Sequence, residues 1–407
     1  MKKASVAFFC MPEEGHFHRL RPLISGLVSR DCAANVFTHR RFERHVERAG
    51  GTFVDLFEKY PLERADGESL PVPCRFVSFA GCYAEQILHD LEEIRPSLVI
   101  YDTFAVIGRV VAARLGIPYV NVCAGHNVDP DRFLRLLRSD PRVAISQGCL
   151  RAVETLRERY GLHDASPFSY VSGLSPFLNV YCEPPAYLTE ADRRVFEPVA
   201  FYGSLPSIEE MEANRCAGEP SPFGSDATRI KVYVSFGSVV WRYYAAEAFG
   251  ALKSMSESFA SMENVRAVIS LGGAEVGAET LRALTKPNVS VAGYVNQRRI
   301  LQDADVFVTH NGLNSTHEAI FNGVPMISYP FFWDQPALAE KCRQFGLAIP
   351  LTDSPRGRVR EGNVHAAMAE FFRSRESLRA SLAEARDWEL RVIENRDAVV
   401  RQITDLV

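Results

Sequence analysis

The 407-residue chain has no excess of positive charge, since 46 Lys and Arg stand against 50 Asp and Glu for a formal net charge of -4. It therefore lacks the basic footprint that nucleic-acid binding requires. No uncharged run approaches the ~20 residues needed to span a bilayer. Its nine cysteines, at positions 10, 32, 74, 82, 123, 149, 182, 216 and 342, form no CxxC and no Cys/His ligand cluster. An odd, scattered set of this kind fits a reducing compartment and offers no zinc site. The start MKKASVAFFCMPEEGH breaks from a short apolar run into charges without a small-residue cleavage site, so it reads as a buried first strand and not as a signal peptide. A cytoplasmic protein is expected. No GxGxxG follows that strand, which argues against a dinucleotide oxidoreductase. Internal repeats and low-complexity tracts are absent as well.

What the chain does have is a globular composition, 47% hydrophobic and 24% charged, at a length that favours two domains over one. Short β-rich apolar runs alternate with longer amphipathic ones, the pattern of parallel sheets covered by helices. In the first half these runs are SVAFFCM, ANVFT, TFVDL, SLVIYD, PYVNVC, LNVYC and PVAFYG. In the second half they are KVYVSFGS, RAVISLGG, NVSVAGYV, DVFVTH, PMISYPF and LAIPL. Their weak polar alternation suits strands buried on both faces. Between the halves, EEMEANRCAGEPSPFGSDATR has no apolar periodicity and reads as a linker. The expected organisation is a Rossmann-like α/β domain over 1–207, a linker over 208–229, and a second such domain over 230–375. The segment 376–407 reads as an amphipathic helical tail.

Ligands in doubly wound α/β folds bind at the carboxyl ends of strands, so the residues just after each strand carry the functional signal. The stretch HNGLNSTHEA (310–319) follows DVFVT and opens a helix. A glycine at such a turn leaves backbone N–H groups unpaired in front of the helix dipole, which makes a phosphate site. Asn314 or Ser315 acting only as a helix cap, and His310 as a satisfied core histidine, are the plainer alternatives. Other strand ends in the same half add Ser238 in SFGS, Tyr294 and Gln297 in GYVNQ, and Asp334 and Gln335 in PFFWDQ. Together they offer a hydroxyl, an aromatic face, amides, an imidazole and carboxylates, the inventory that a nucleotide-sugar needs.

The stretch GYVNQRRILQDADVFVTHNGLNSTHEAIFNGVPMISYPFFWDQ resembles the donor-binding signature of the family 1 glycosyltransferases, inverting GT-B enzymes that act on natural products. The resemblance implies two Rossmann-like domains facing a cleft, with the C-terminal helix crossing back to pack on the first domain. It implies that Tyr294 stacks on the base with Gln297 beside it. His310 would donate to a diphosphate oxygen, while Gly312, Asn314 and Ser315 would meet the phosphates and Ser238 would reach them from the other loop. Glu318 would accept from the ribose, and Asp334 and Gln335 would hold the sugar. The family usually carries tryptophan at the place of Tyr294, proline at that of Asn296 and a small residue at that of Asn311. Plant members have tryptophan at the place of Leu313.

In the first domain, PEEGHFHRLRPL (12–23) follows the first strand. The resemblance puts the catalytic base at His16, an imidazole able to take the proton of an acceptor hydroxyl. His18 is the alternative base. Asp102, at the end of SLVIYD, matches the orienting carboxylate, and its plainer reading is a helix cap. Phe79, Tyr83 and His126 are candidate acceptor contacts, each readable equally as core. The sequence DAD (303–305) precedes a strand and reads as a solvated turn, so no metal and no cofactor is expected beyond the nucleotide-sugar co-substrate. The expected function is transfer of a hexose, glucose from UDP-glucose, to a hydroxyl of a small hydrophobic acceptor, with no nucleic-acid partner. Alternatives are a dTDP-deoxysugar transferase, a nucleotide-sugar epimerase, and a non-catalytic auxiliary partner of a transferase.

Overall fold

The computed structural model describes residues 3–62, 74–123, 125–126, 129–139, 143–213, 221–224 and 229–407. Two compact units divide the chain, the first formed by 1–206 together with 392–407 and the second by 207–391. Each is built on one parallel sheet.

In the first unit the strands are β1 (Ser5–Phe9), β2 (Ala33–Thr38), β3 (Thr52–Asp55), β4 (Leu98–Asp102), β5 (Tyr119–Cys123), β6 (Leu178–Tyr181) and β7 (Val199–Phe201). Their spatial order is β3-β2-β1-β4-β5-β6-β7. The second unit has β8 (Ile230–Ser235), β9 (Val265–Ser270), β10 (Val289–Ala292), β11 (Val306–Thr309), β12 (Met326–Ser328) and β13 (Ala348–Pro350), in the order β10-β9-β8-β11-β12-β13. Every apolar run read from the sequence thus becomes a strand, and the two doubly wound sheets are those of the GT-B fold. The central strands carry the burial: Val6, Ala7, Phe8 and Phe9 of β1 and Leu98, Val99 and Ile100 of β4 are all 0% exposed. Burying each large side chain contributes about 1.5–3 kcal/mol, which is why alternation is missing from these runs.

Crossover helices start and stop on local signals. Asp55 caps the helix Leu56–Lys59 by accepting from the backbone N–H of Phe57 and Glu58. Thr189 and Asp192 form a reciprocal capping box on Glu190–Val195. Gly116 ends Val106–Leu115 at φ 66°, a left-handed conformation that glycine adopts without penalty. Part of the expected linker is helical, Ile208–Ala213, and residues 214–220 and 225–228 of it lie outside the described residues, as does Cys216. The other eight cysteines form no disulfide among the described residues. Among the described residues no helix is long and apolar enough to cross a membrane.

The tail read as 376–407 divides between the units. The helix Glu361–Glu394 runs with the second unit through residue 391, and the helix Arg396–Thr404 packs on the first. Side chains explain both attachments. Arg386 donates to the Phe321 carbonyl at 2.9 Å and Arg375 to Asp305 at 2.8 Å, both in the second unit. In the first unit the buried Arg396 guanidinium donates to the carbonyls of Tyr202, Leu205 and Pro206. A Cβ added at Gly26 would lie 2.8 Å from Val400 Cγ2, so the helix Glu14–Val28 has a glycine where Val400 presses on it.

Replacing Arg396 with methionine leaves three carbonyls without their donor, at a cost of about 2–5 kcal/mol. The expected outcome is a clear drop in the urea midpoint of the first unit, read by a fluorescent label placed there. An unchanged midpoint would mean that the C-terminal helix is held by its apolar face alone.

Candidate active site

Each sheet reverses its winding once, between β1 and β4 in the first unit and between β8 and β11 in the second. Crossovers leave in opposite directions there and the strand ends stay uncovered. His16 and Asp102 lie at the first of these places and Ser238, His310 and the turn 312–318 at the second, while Tyr294 and Gln297 follow the edge strand β10 and Asp334 and Gln335 follow β12.

In the first unit Asp102 ends β4 and is 0% exposed. A carboxylate so deep needs its lone pairs filled, and three donors do it. The Met11 backbone N–H donates to Oδ2 at 2.9 Å, the Phe104 N–H to Oδ1 at 2.8 Å, and His16 Nδ1 lies 2.9 Å from Oδ1. Both readings of Asp102 therefore hold in part: it closes the turn into the following helix, whose own cap is Ala105, and it also holds His16. His16 sits in the first turns of Glu14–Val28 with its ring stacked on Phe104 at 4.1 Å and its side chain 14% exposed. With Nδ1 turned to the carboxylate, Nε2 is the nitrogen left for a substrate. His18, two residues on, lies against the rings of Phe17 and His45 instead. The carboxylate belongs to His16.

In the second unit His310 follows β11 and its ring lies between two glycines. A Cβ at Gly237 would come within 2.9 Å of the ring and one at Gly312 within 2.3 Å of Nε2, so neither position tolerates a side chain without displacing the imidazole. Burial lowers the His310 pKa to about 4, against a weaker opposing hydrogen bond with the Ser235 backbone. The ring is neutral at pH 7 and can donate one N–H without carrying charge. Gly312 is the cap residue of Leu313–Phe321 and no side chain caps that helix. Asn314 and Ser315 lie inside the first turn, so capping is not their task. Ser315 Oγ instead accepts from Gln297 Nε2 at 3.1 Å. Ser238 stands exposed at the β8 turn.

Glu318, 8% exposed, accepts from Gln297 Nε2 at 2.8 Å and from Arg298 Nε at 2.9 Å. Tyr294 presents its ring to solvent, 76% exposed. Gln335 is buried and its Oε1 accepts from the Phe331 and Phe332 N–H groups at 3.0 and 3.3 Å, which leaves its amide N–H groups for a ligand. Asp334 is half-buried beside it at the start of Gln335–Gln344.

Several positions that depart from the resemblance have local explanations. Asn296 accepts from the Arg299 N–H and caps the short helix Gln297–Ile300. Asn311 has φ 57°, a left-handed conformation that asparagine and glycine share, and its side chain is buried. The DAD turn is not simply solvated, because Asp303 pairs with Arg299 at 2.9 Å while Asp305 accepts from the Lys231 N–H and pairs with Arg375.

The acceptor candidates fare differently from one another. Phe79 is 2% exposed and packs on Phe57 and Tyr83, so its ring is core. His126 is 4% exposed with Nδ1 2.7 Å from Glu183 Oε2, a buried pair at the ends of β5 and β6. Burial removes both from the surface a free acceptor would meet. Tyr83 is half-buried, with its hydroxyl donating to the Pro61 carbonyl at 3.3 Å. Sequence reasoning missed Arg298 and Glu210, which form a pair at 3.1 Å next to Glu318. It also missed the buried pair of His317 Nδ1 with Glu389 Oε1, 2.5 Å apart, which ties the Leu313–Phe321 helix to the long C-terminal helix. Among the described residues no group of three or more His, Cys, Asp or Glu is placed to hold a metal ion.

Residues 232–355 match the family model described as UDP-glucoronosyl and UDP-glucosyl transferase, a span containing every second-unit candidate named above. The NDP-glycosyltransferase YjiC of Bacillus subtilis is 23% identical over 93% of this chain and 91% of its own length. The oleandomycin glycosyltransferase of Streptomyces antibioticus is 24% identical over 94% of this chain and 90% of its own. The crystal structure of the kitacinnamycin glycotransferase superposes with a TM-score of 0.78 at 25% identity, over 99% of this chain and all of that one.

The depressed His310 pKa predicts an acid sensitivity with a definite sign. The unfolded ring takes its proton near pH ~6.5, the folded ring only near pH about 4. The unfolded state therefore binds the extra proton first, and stability present above that window is lost as pH falls through it, by at most roughly 3 kcal/mol. Thermal midpoints should fall more steeply from pH 6.5 to 4 for the native chain than for His310→Gln. Parallel profiles would rule out a desolvated imidazole.

Proposed function

We propose that this chain, a glycosyltransferase similar in fold and sequence to the family 1 enzymes, moves a hexose, glucose from UDP-glucose, onto a hydroxyl of a small hydrophobic natural product with inversion at the anomeric carbon. The observation that carries the catalytic part is the pairing of His16 with the fully buried Asp102 at the first sheet's reversal point. A protein that only accompanied another transferase would have no use for an oriented imidazole there.

The proposed step is one displacement. His16 Nε2 takes the proton of the acceptor hydroxyl as its oxygen bonds to the anomeric carbon of the sugar, and the bond from that carbon to the diphosphate oxygen breaks. The electron pair leaves with the nucleoside diphosphate. The proton stays on His16 as an imidazolium facing the Asp102 carboxylate, the same division of labour as in the serine hydrolase triad. Charge that develops on the leaving diphosphate would meet the His310 N–H and the uncapped amides at the start of Leu313–Phe321. These donors can act without a bound cation, and a metal-independent reaction is part of the proposal. Tyr294 would stack on the base, Glu318 would hold the ribose, and Ser238, Asn314 and Ser315 would contact the phosphates. The Asp334 carboxylate and the free amide of Gln335 would bind the sugar hydroxyls. Similarity to the oleandomycin and kitacinnamycin enzymes supports an antibiotic-like acceptor.

Thermal unfolding against UDP, dTDP and GDP, followed by transfer assays with UDP-glucose and a panel of polyketide and phenolic acceptors in EDTA, tests this. UDP at a hundred times its dissociation constant should raise stability by about 2.7 kcal/mol. His16→Ala should lose transfer by about 10²–10⁴-fold while keeping that stabilisation. Full activity in the variant would move the base to His18. Stabilisation by dTDP but not UDP would turn the reading to deoxysugar donors, and no response to any nucleotide would favour the auxiliary protein.

A further inference from the structure

The Glu318 carboxylate is not an open acceptor waiting for a ligand. Gln297 Nε2 already donates to Oε2 and Arg298 Nε to Oε1. Both donors are anchored in turn. Gln297 is held by Ser315 on the Leu313–Phe321 helix, and the far end of the Arg298 guanidinium reaches Glu210 Oε1 at 3.1 Å. The chain of contacts Glu210, Arg298, Glu318, Gln297, Ser315 lies wholly inside the second unit and draws on three helices.

Such a clamp has a geometric consequence. Each carboxylate oxygen offers two lone-pair directions, and one on each is taken. The remaining two point one from each oxygen, and the group cannot rotate to bring both onto a single donor. A vicinal diol supplies two O–H donors with matching separation, whereas a 2′-deoxyribose supplies one. The Glu318 side chain is 11% exposed, so an oxygen left without its donor has little water to replace it.

We propose that Arg298 is a positioning residue that fixes Glu318 for the two hydroxyls of a ribose, so that the donor site selects ribonucleoside over 2′-deoxyribonucleoside diphosphates. This rests on the donor-site reading given above and deepens it. Arginine suits the task because its fork reaches two carboxylates in fixed directions, which the single ammonium of lysine does not.

Titration calorimetry of the full chain with UDP and with 2′-deoxy-UDP reads the selectivity directly. The native chain should bind UDP at least about tenfold more tightly, the value expected for one hydrogen bond to a buried charge. In Arg298→Met and Arg298→Lys the ratio should fall to within about twofold, mainly through weaker UDP binding, with the thermal midpoint checked in the absence of nucleotide. A merely structural role would weaken both nucleotides together and leave the ratio unchanged. Should Arg298→Met fail to fold, Glu210→Gln removes the outer anchor alone and should lower the ratio by about threefold. An equal ratio in native and variant chains, or equal affinity of the native chain for both nucleotides, overturns the proposal while leaving the donor site standing. Failure of the native chain to bind either nucleotide overturns the donor reading itself.

Discussion

The reversal of strand order between neighbouring parallel strands is the constraint on which the rest of the molecule depends. Right-handed crossovers place helices on opposite faces to either side of β1 and β4, and again of β8 and β11. At those two seams the strand ends cannot be roofed by a helix. The polar side chains that stand there are still buried, Asp102 at 0% and His310 at 9% exposure, so each depends on partners or on staying uncharged. Asp102, His16, Gly237 and His310 all lie at a seam, and each is accounted for by its neighbours in the chain as much as by any ligand.

The two seams use burial in opposite ways. At Asp102 three hydrogen bonds converge on a fully buried carboxyl group, one of them fixing a neighbouring ring. At His310 the same loss of water favours the uncharged ring, held between Gly237 and Gly312 as a neutral donor. One imidazole is thus held by a carboxyl group and the other by a close fit between two glycines.

How much of this was legible in the sequence follows from the range over which each interaction acts. The strands were legible because double-sided burial writes a continuous apolar run. The turn, glycine and helix start between 310 and 318 were legible because they are contiguous in the chain. Asp102 was visible only by analogy, since its partner is 86 residues away. Arg298 gave no signal, because an arginine in a polar helix looks solvated until the fold brings Glu318 and Glu210 to it. His317 and Glu389 are 72 residues apart and hidden in amphipathic patterns that read equally well without them. Phe79 and His126 show the converse: residue type suggested a binding surface, and only tertiary packing showed them enclosed.

The division of the tail has a consequence for the order of events during synthesis. The first unit is discontinuous, 1–206 completed by 392–407, with the whole second unit inserted between. A chain emerging from the ribosome therefore presents its first sheet long before the helix that carries Arg396 and Val400 exists. Domains that fold as units usually do so in N-to-C order. Here the second unit can finish first, and the opening half of the chain must wait for the last helix with the carbonyls of Tyr202, Leu205 and Pro206 still lacking their donor. Any truncation near the C-terminus is thus a lesion of the N-terminal unit.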